Sequence, residues 1–220
     1  YKNAVSRKLP VDIDDETKFY LALSFYNLGD FAESLKFLEG KESALLALNY
    51  AKTQKLKESA SVFKILDESE NLSEKDRLNY AKVLLFSARY KEAQIQAAKC
   101  NLIEGKYILA LAQFNTRSWN FCEENFLTFL KSPSIDKVSK SYAEFYLGYS
   151  KYRLGKFKES CEILSRFVSS YPEHELIWNA LMTYSNAAVQ ILKFDDASKY
   201  AEKAVKCAKN SSDREKAVFL

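Results

Sequence analysis

The sequence predicts an all-α fold, a right-handed α-solenoid of about six antiparallel helix pairs, and three observations carry that expectation. The chain has 220 residues, 47% of them hydrophobic, with only five Gly and three Pro. So few turn formers argue against a many-stranded β fold and suit long helices joined by economical loops. Apolar residues recur at helical spacing, as in Phe19, Leu23 and Tyr26, and again in Tyr142, Phe145, Tyr149 and Tyr152. A segment skeleton also repeats along the chain.

The clearest copy of that skeleton is YLGYSKYRLGKFKESCEILSRFVSSYP, from Tyr146 to Pro172. The stretch YLALSFYNLGDFAESLKFLEG, from Tyr20 to Gly40, shares it: a helix, Leu-Gly, one residue, an aromatic, then a small residue three further on. Taking the aromatic and the small residue as a ruler gives six copies: Phe31 with Ser34, Leu56 with Ser59, Tyr90 with Ala93, Trp119 with Cys122, Phe157 with Ser160, and Phe194 with Ala197. The small residues are 25, 34, 29, 38 and 37 apart, so the short intervals predict trimmed helices or loops. Physically, a small side chain lets the second helix of a pair approach the first, and the aromatic caps the turn and fills the wedge where the two splay. Gly29 and Gly155 fall where a helix ends in a left-handed residue, which glycine adopts without steric cost. The other copies carry Gln54, Ala88, Arg117 and Leu192 at that position.

Helix starts fit the same division. Asp14, Asp15 and Glu16 precede the first copy, and Ser73 stands three residues before Asp76 as a capping box requires. Asp195-Asp196 is expected to cap the last long helix in the same way.

Leu147, Gly148, Gly155, Phe157, Ser160 and Pro172 resemble the tetratricopeptide pattern at its leucine-glycine, turn, small and terminal-proline positions. The copy spacing scatters around that family's period of about 34 residues. The resemblance covers about residues 14–210; it is specific for fold and weak for function. The segment RFVSSYPEHELIWNAL, Arg166 to Leu181, is similar to repeats of bacterial envelope proteins, the outer-membrane assembly lipoprotein and the Tol-Pal associated periplasmic protein. That resemblance implies a bacterial periplasmic or envelope-associated protein, with a cytoplasmic scaffold as the alternative. Residues 1–13 are expected to be the end of a preceding helix or a linker, stopped at Leu9-Pro10, and residues 211–220 the start of a further amphipathic helix. The missing initiator Met and the apolar ending Ala217 to Leu220 suggest a chain cut from something longer.

Several function classes are disfavoured. The 33 basic and 29 acidic residues leave a net charge of +4 and interleave, as in Lys91-Glu92, Lys158-Glu159 and Glu202-Lys203, rather than forming a basic stripe for nucleic acid. Cys100, Cys122, Cys161 and Cys207 form no CxxC pair and sit in apolar helical patterns, which reads as buried thiols and not a metal site. His174, the one histidine, lies in a Pro-Glu-His-Glu connection and is expected to be an exposed cap, with no nucleophile beside it. No Gly-rich phosphate loop occurs. The pairs Asp14-Asp15, Glu123-Glu124 and Asp195-Asp196 diverge on a helix, so capping and dipole roles suffice for them. No apolar stretch approaches a membrane span. The expectation is therefore no catalysis, no cofactor and no metal.

The function expected is a scaffold that holds a peptide, a helix or a partner subunit on its concave face, which the first helices line. The residues singled out there are Phe19, Tyr26, Tyr107, Phe114, Tyr142, Phe145, Tyr149, Tyr152 and Asn186. Tyr is suited to recognition because it offers apolar area and a polar tip at little entropic cost. The stripe from Tyr142 to Tyr152 reads either as groove or as core packed on the next repeat. The family's carboxylate clamp for chaperone tails needs Lys and Asn where Phe145 and Tyr149 stand, so an aromatic groove is favoured. A structural spacer or accessory domain of a larger envelope protein is the alternative, as is a solenoid that takes a small ligand or peptidoglycan; self-association stays open.

Overall fold

The computed structural model describes residues 13–38 and 40–208, and among them are twelve helices and no strand. They are α1 (Asp15–Asn27), α2 (Phe31–Lys36), α3 (Ala44–Lys52), α4 (Leu56–Glu68), α5 (Glu74–Phe86), α6 (Tyr90–Lys99), α7 (Ile103–Asn115), α8 (Trp119–Leu130), α9 (Lys137–Arg153), α10 (Phe157–Ser170), α11 (Ile177–Gln190) and α12 (Phe194–Cys207). The segments expected at Tyr1 to Lys8 and Asp213 to Leu220 lie outside the described residues. The chain divides into two compact units, Tyr1–Cys100 with α1 to α6 and Asn101–Leu220 with α7 to α12. Within each unit every helix packs on its neighbours in sequence; first helices also touch the next first helix, α3 on α5, α7 on α9 and α9 on α11. This is the stacking of an α-solenoid, as the sequence predicts.

One turn joins every pair. The second residue after each first helix has positive φ: Gly29, Gln54, Ala88, Arg117, Gly155 and Leu192, with φ between 56° at Ala88 and 79° at Gly29. The next residue's N–H then reaches back to the helix: Asp30 to Phe25 O, Lys55 to Tyr50 O, Arg89 to Leu84 O, Ser118 to Gln113 O, Lys156 to Lys151 O and Lys193 to Ala188 O, at 2.8–2.9 Å. This backward bond satisfies carbonyls that a helix end would leave unpaired. The four copies without glycine keep the same turn and accept left-handed strain of about 1–2 kcal/mol each. The ruler residues Phe31, Leu56, Tyr90, Trp119, Phe157 and Phe194 each open the second helix. Phe31 contacts Tyr26, Trp119 contacts Phe114 and Phe157 contacts Tyr152 edge-on or tilted across the turn, at 5.4, 5.2 and 5.8 Å between centroids. Phe194 differs: it is 60% exposed and fills no wedge.

Helix pairing rests on small residues from both sides. Ser34, Ser59, Ala93, Cys122, Ser160 and Ala197 are all buried, and so are Ala22, Ala47, Ala81, Ala110, Gly148 and Ser185, which precede them by the same interval. Where the small residue is serine it also ties the helices together. Ser34 Oγ donates to Ala22 O, Ser59 Oγ to Ala47 O and Ser160 Oγ to Gly148 O, each across twelve residues at 2.7–2.8 Å. Ser185 Oγ donates in the opposite direction to Ala197 O at 2.7 Å. The shortest copy interval, the 25 residues from Ser34 to Ser59, is met by shortened helices, six residues in α2 and nine in α3.

Helix starts follow the sequence at two places and depart from it at a third. Asp14 Oδ1 accepts from Thr17 N at 2.7 Å. Ser73 Oγ accepts from Asp76 N at 3.2 Å and donates its own proton to Asp76 Oδ2 at 2.6 Å. Asp195 and Asp196 do not cap α12, whose N-cap is Lys193 without a side-chain bond; they lie inside its first turn, where negative charge still opposes the helix dipole favourably. Of the cysteines, Cys100, Cys122 and Cys161 are buried, but Cys207 is exposed at the end of α12. Among the described residues no helix is long and apolar enough to cross a membrane.

Candidate partner-binding groove

In the second unit, the C-terminal end of α7, the start of α8, the C-terminal half of α9 and the start of α11 enclose a groove of ≈ 430 Å³. The repeat places a first helix beside a first helix here, so side chains from three repeats converge on one face. Phe114 from α7 lies 4.7 Å from Tyr146 and 5.5 Å from Tyr149 of α9, between centroids. Trp119 closes on both Phe114, at 5.2 Å, and Tyr149, at 6.2 Å. Arg153, one turn beyond Tyr149, rests its guanidinium 5.0 Å from the Trp119 ring centre and reaches the Tyr149 hydroxyl at 3.4 Å. Arg117, Asn115 and Asn179 supply the remaining polar rim, and no carboxylate lines the groove.

The stripe on α9 divides between core and groove. Phe145 is 4% exposed and packs on Phe167 of α10 at 5.8 Å, so its ring belongs mainly to the core. Tyr149 stays half-buried on the groove side. Tyr152 packs between Tyr149 and Phe157. Tyr142 sits at the other end of α9, where its hydroxyl donates to Glu175 Oε1 at 2.7 Å; that bond, then burial, raises its pKa. Tyr107 packs edge-on against Phe126 and tilted against Phe129 inside the α7–α8 pair, and burial raises its pKa well above the ordinary tyrosine value. Asn186 is half-buried in α11 away from the groove lining. Phe19, 42% exposed, and Tyr26, against Phe31, belong to the first unit. Phe114, Phe145 and Tyr149 are thus the singled-out residues that the groove brings together.

Tyr146, Trp119, Arg117 and Arg153 were not singled out as binding residues. Arg153 was legible, since it stands four residues after Tyr149 and such pairs share a helix face. Tyr146 and Trp119 come from the packing of α7 and α8 on α9, which spacing within one helix does not reveal.

Two further polar arrangements depart from expectation. Glu123 has neither a capping nor a dipole role: it is buried, accepting from Lys151 Nζ at 2.6 Å and from Lys156 Nζ at 2.9 Å, and Lys151 also donates to Glu159 at 2.5 Å. Side-chain exposure is only 8% for Lys151 and 10% for Glu123. Burial opposes both charges, yet the mutual bonds prevail, holding the Glu123 pKa down and the Lys151 pKa up. His174 is half-buried rather than exposed, against Phe167 at 5.1 Å and Tyr142 at 4.7 Å. Its Nδ1 accepts from Leu176 N at 3.1 Å, which leaves the proton on Nε2 to face Ser141 Oγ at 3.1 Å. Burial lowers its pKa from 6.5.

Residues 142–174, which span most of α9 and all of α10, match the family model described as tetratricopeptide repeat. No curated protein sequence matches the chain. Among solved structures it is similar to YrrB, described as a tetratricopeptide-repeat protein with an unusual peptide-binding site, at 14% identity and TM-score 0.68, covering 86% of this chain and 98% of that one. It is similar to PilF of Pseudomonas aeruginosa at 13% identity and TM-score 0.66, covering 91% and 95%. A tetratricopeptide repeat protein of Parabacteroides merdae shares 15% identity at TM-score 0.64, covering 91% and 82%. At these identities the likeness establishes the fold.

Proposed function

We propose that this chain, a tetratricopeptide-repeat protein by its repeat and by its fold, is a protein-interaction scaffold that holds a peptide segment in the α7–α9–α11 groove and performs no chemistry. The single observation that carries the reading is the half-buried Tyr149, set among Phe114, Trp119 and Arg153 in a groove with two guanidiniums and no carboxylate. Such a surface favours a segment that presents an apolar side chain beside a carboxylate: rigid aromatics bury the first, and the forked guanidinium pairs with the second. The peptide-binding site described for YrrB supports the same kind of use of this fold.

Selection of peptides from a display library on the immobilised chain tests the reading. Phe114→Ala and Tyr149→Ala should each weaken the selected peptides by about 2 kcal/mol or more, the size of a hot spot, with the helical circular dichroism unchanged. Undiminished binding by the double variant would assign the partner to another face.

A further inference from the structure

The α9 helix has a second recessed surface, on the side of the preceding second helix. The C-terminal half of α8, the N-terminal half of α9 and the C-terminal half of α10 enclose a cavity of ≈ 640 Å³, within the size range of ligand sites. It shares no lining residue with the aromatic groove. Leu127, Leu130 and Ile163 form an apolar floor, with Leu127 38% exposed. Lys131, Lys140 and Arg166 stand on the rim, all exposed, and none forms an ion pair with a described residue.

One carboxylate, Glu144, lines the cavity, and it faces Tyr171, whose phenol pKa is raised by burial and then by that charge. Three cations against one carboxylate leave a positive rim. The carbonyl ends of α8 and α10, worth about half a negative charge each, reduce the excess without reversing it.

The geometry points to an acidic amphipathic peptide helix as the occupant, one that lays leucine-like side chains on the floor and carboxylates against Lys131, Lys140 and Arg166. Charge complementarity selects the sign of the partner, because a basic partner would leave three cations facing its own. The recession of the floor favours a peptide over a lipid surface. A membrane-binding face presents apolar side chains outward, whereas here Leu130 and Ile163 are half-buried within the cavity.

The test uses fluorescence anisotropy with two labelled helical peptides of about four turns, both with leucine along one face, one with Glu and one with Lys on the flanks. The Glu peptide should bind the chain and weaken as salt rises; the Lys peptide should bind at least about tenfold more weakly. Lys140→Glu with Arg166→Glu, both at exposed positions, should reverse that preference, while Tyr149→Ala on the other groove should leave it unchanged. Equal binding of the two peptides, no effect of the double reversal, or loss with Tyr149→Ala would overturn the assignment. Binding to vesicles of phosphatidylserine and phosphatidylcholine without binding of the Glu peptide would overturn it in favour of a lipid surface.

Discussion

Replacing Gly148 with alanine sets two opposed contributions against each other. On a free helix the change favours folding by about 1 kcal/mol, because glycine loses more backbone freedom than alanine. Inside this pair an added Cβ would stand 2.7 Å from Leu164 Cδ2, 2.8 Å from Leu164 Cγ and 3.3 Å from Ile163 Cγ2. Carbon atoms prefer about 3.5–4.0 Å, and Leu164 is fully buried with nowhere to retreat. Either the Leu164 side chain leaves its packed position or the helices part, which costs about 1–3 kcal/mol in overpacking. Any parting would also stretch the 2.8 Å bond from Ser160 Oγ to Gly148 O, worth about 0.5–1.5 kcal/mol. The net expectation is a loss of about 1–2 kcal/mol, and Gly148→Val should lose more. Thermal unfolding followed by circular dichroism reads this as a Tm lowered by roughly 2–8 °C. A Tm that rises would refute the reasoning, since it would mean that helix propensity governs position 148 and the close approach does not.

The turns make the complementary prediction: Leu192→Gly and Arg117→Gly, at exposed left-handed positions, should each raise stability by up to about 1 kcal/mol, and Gly155→Ala should lower it by about 1 kcal/mol in urea unfolding. Lys151→Met leaves Glu123 buried with Lys156 as its one remaining cation and should cost about 3 kcal/mol by the same assay. Folding lowers the His174 pKa below 6.5, so as pH falls the unfolded chain takes up this proton first. The associated stability is therefore lost progressively below about pH 6.5 until the folded-state pKa is passed. Unfolding free energies between pH 7 and 5 should fall less steeply in His174→Asn than in the parent. Glu123 acts in a lower window: its folded pKa is depressed below 4.5, so its contribution is present above that value and is lost as pH drops through the folded pKa.

The repeat was legible because its constraints are local. A left-handed residue, an apolar residue two later and a small one three beyond that are fixed by a single turn, so Phe157 and Ser160 could be aligned with Leu56 and Ser59 even where Gln54 replaces glycine. The partner positions Ala22, Ala47, Ala81, Ala110 and Ser185 were not marked, because alanine and serine are common in any helix. Only the pairing reveals that their Cβ faces the second helix. Within the stripe on α9, helical spacing brought Phe145 and Tyr149 to nearly one side. Whether a ring at the boundary is covered depends on the neighbouring helices, and Phe167 covers Phe145 while Phe114 and Trp119 leave Tyr149 half-exposed. Lys151 and Glu123 show the same limit for charge: each stands in a polar-looking stretch, and their burial comes from the meeting of α8, α9 and α10.

The most direct measurement of the central claim, that partners are held in the α7–α9–α11 groove, is site-specific photocrosslinking with a display-selected peptide. A benzophenone amino acid replaces Tyr149 in one sample and Phe121, 64% exposed on α8, in another. A peptide adduct is expected from position 149 and none from position 121. Adducts from position 121 alone, or equally from both, would contradict it.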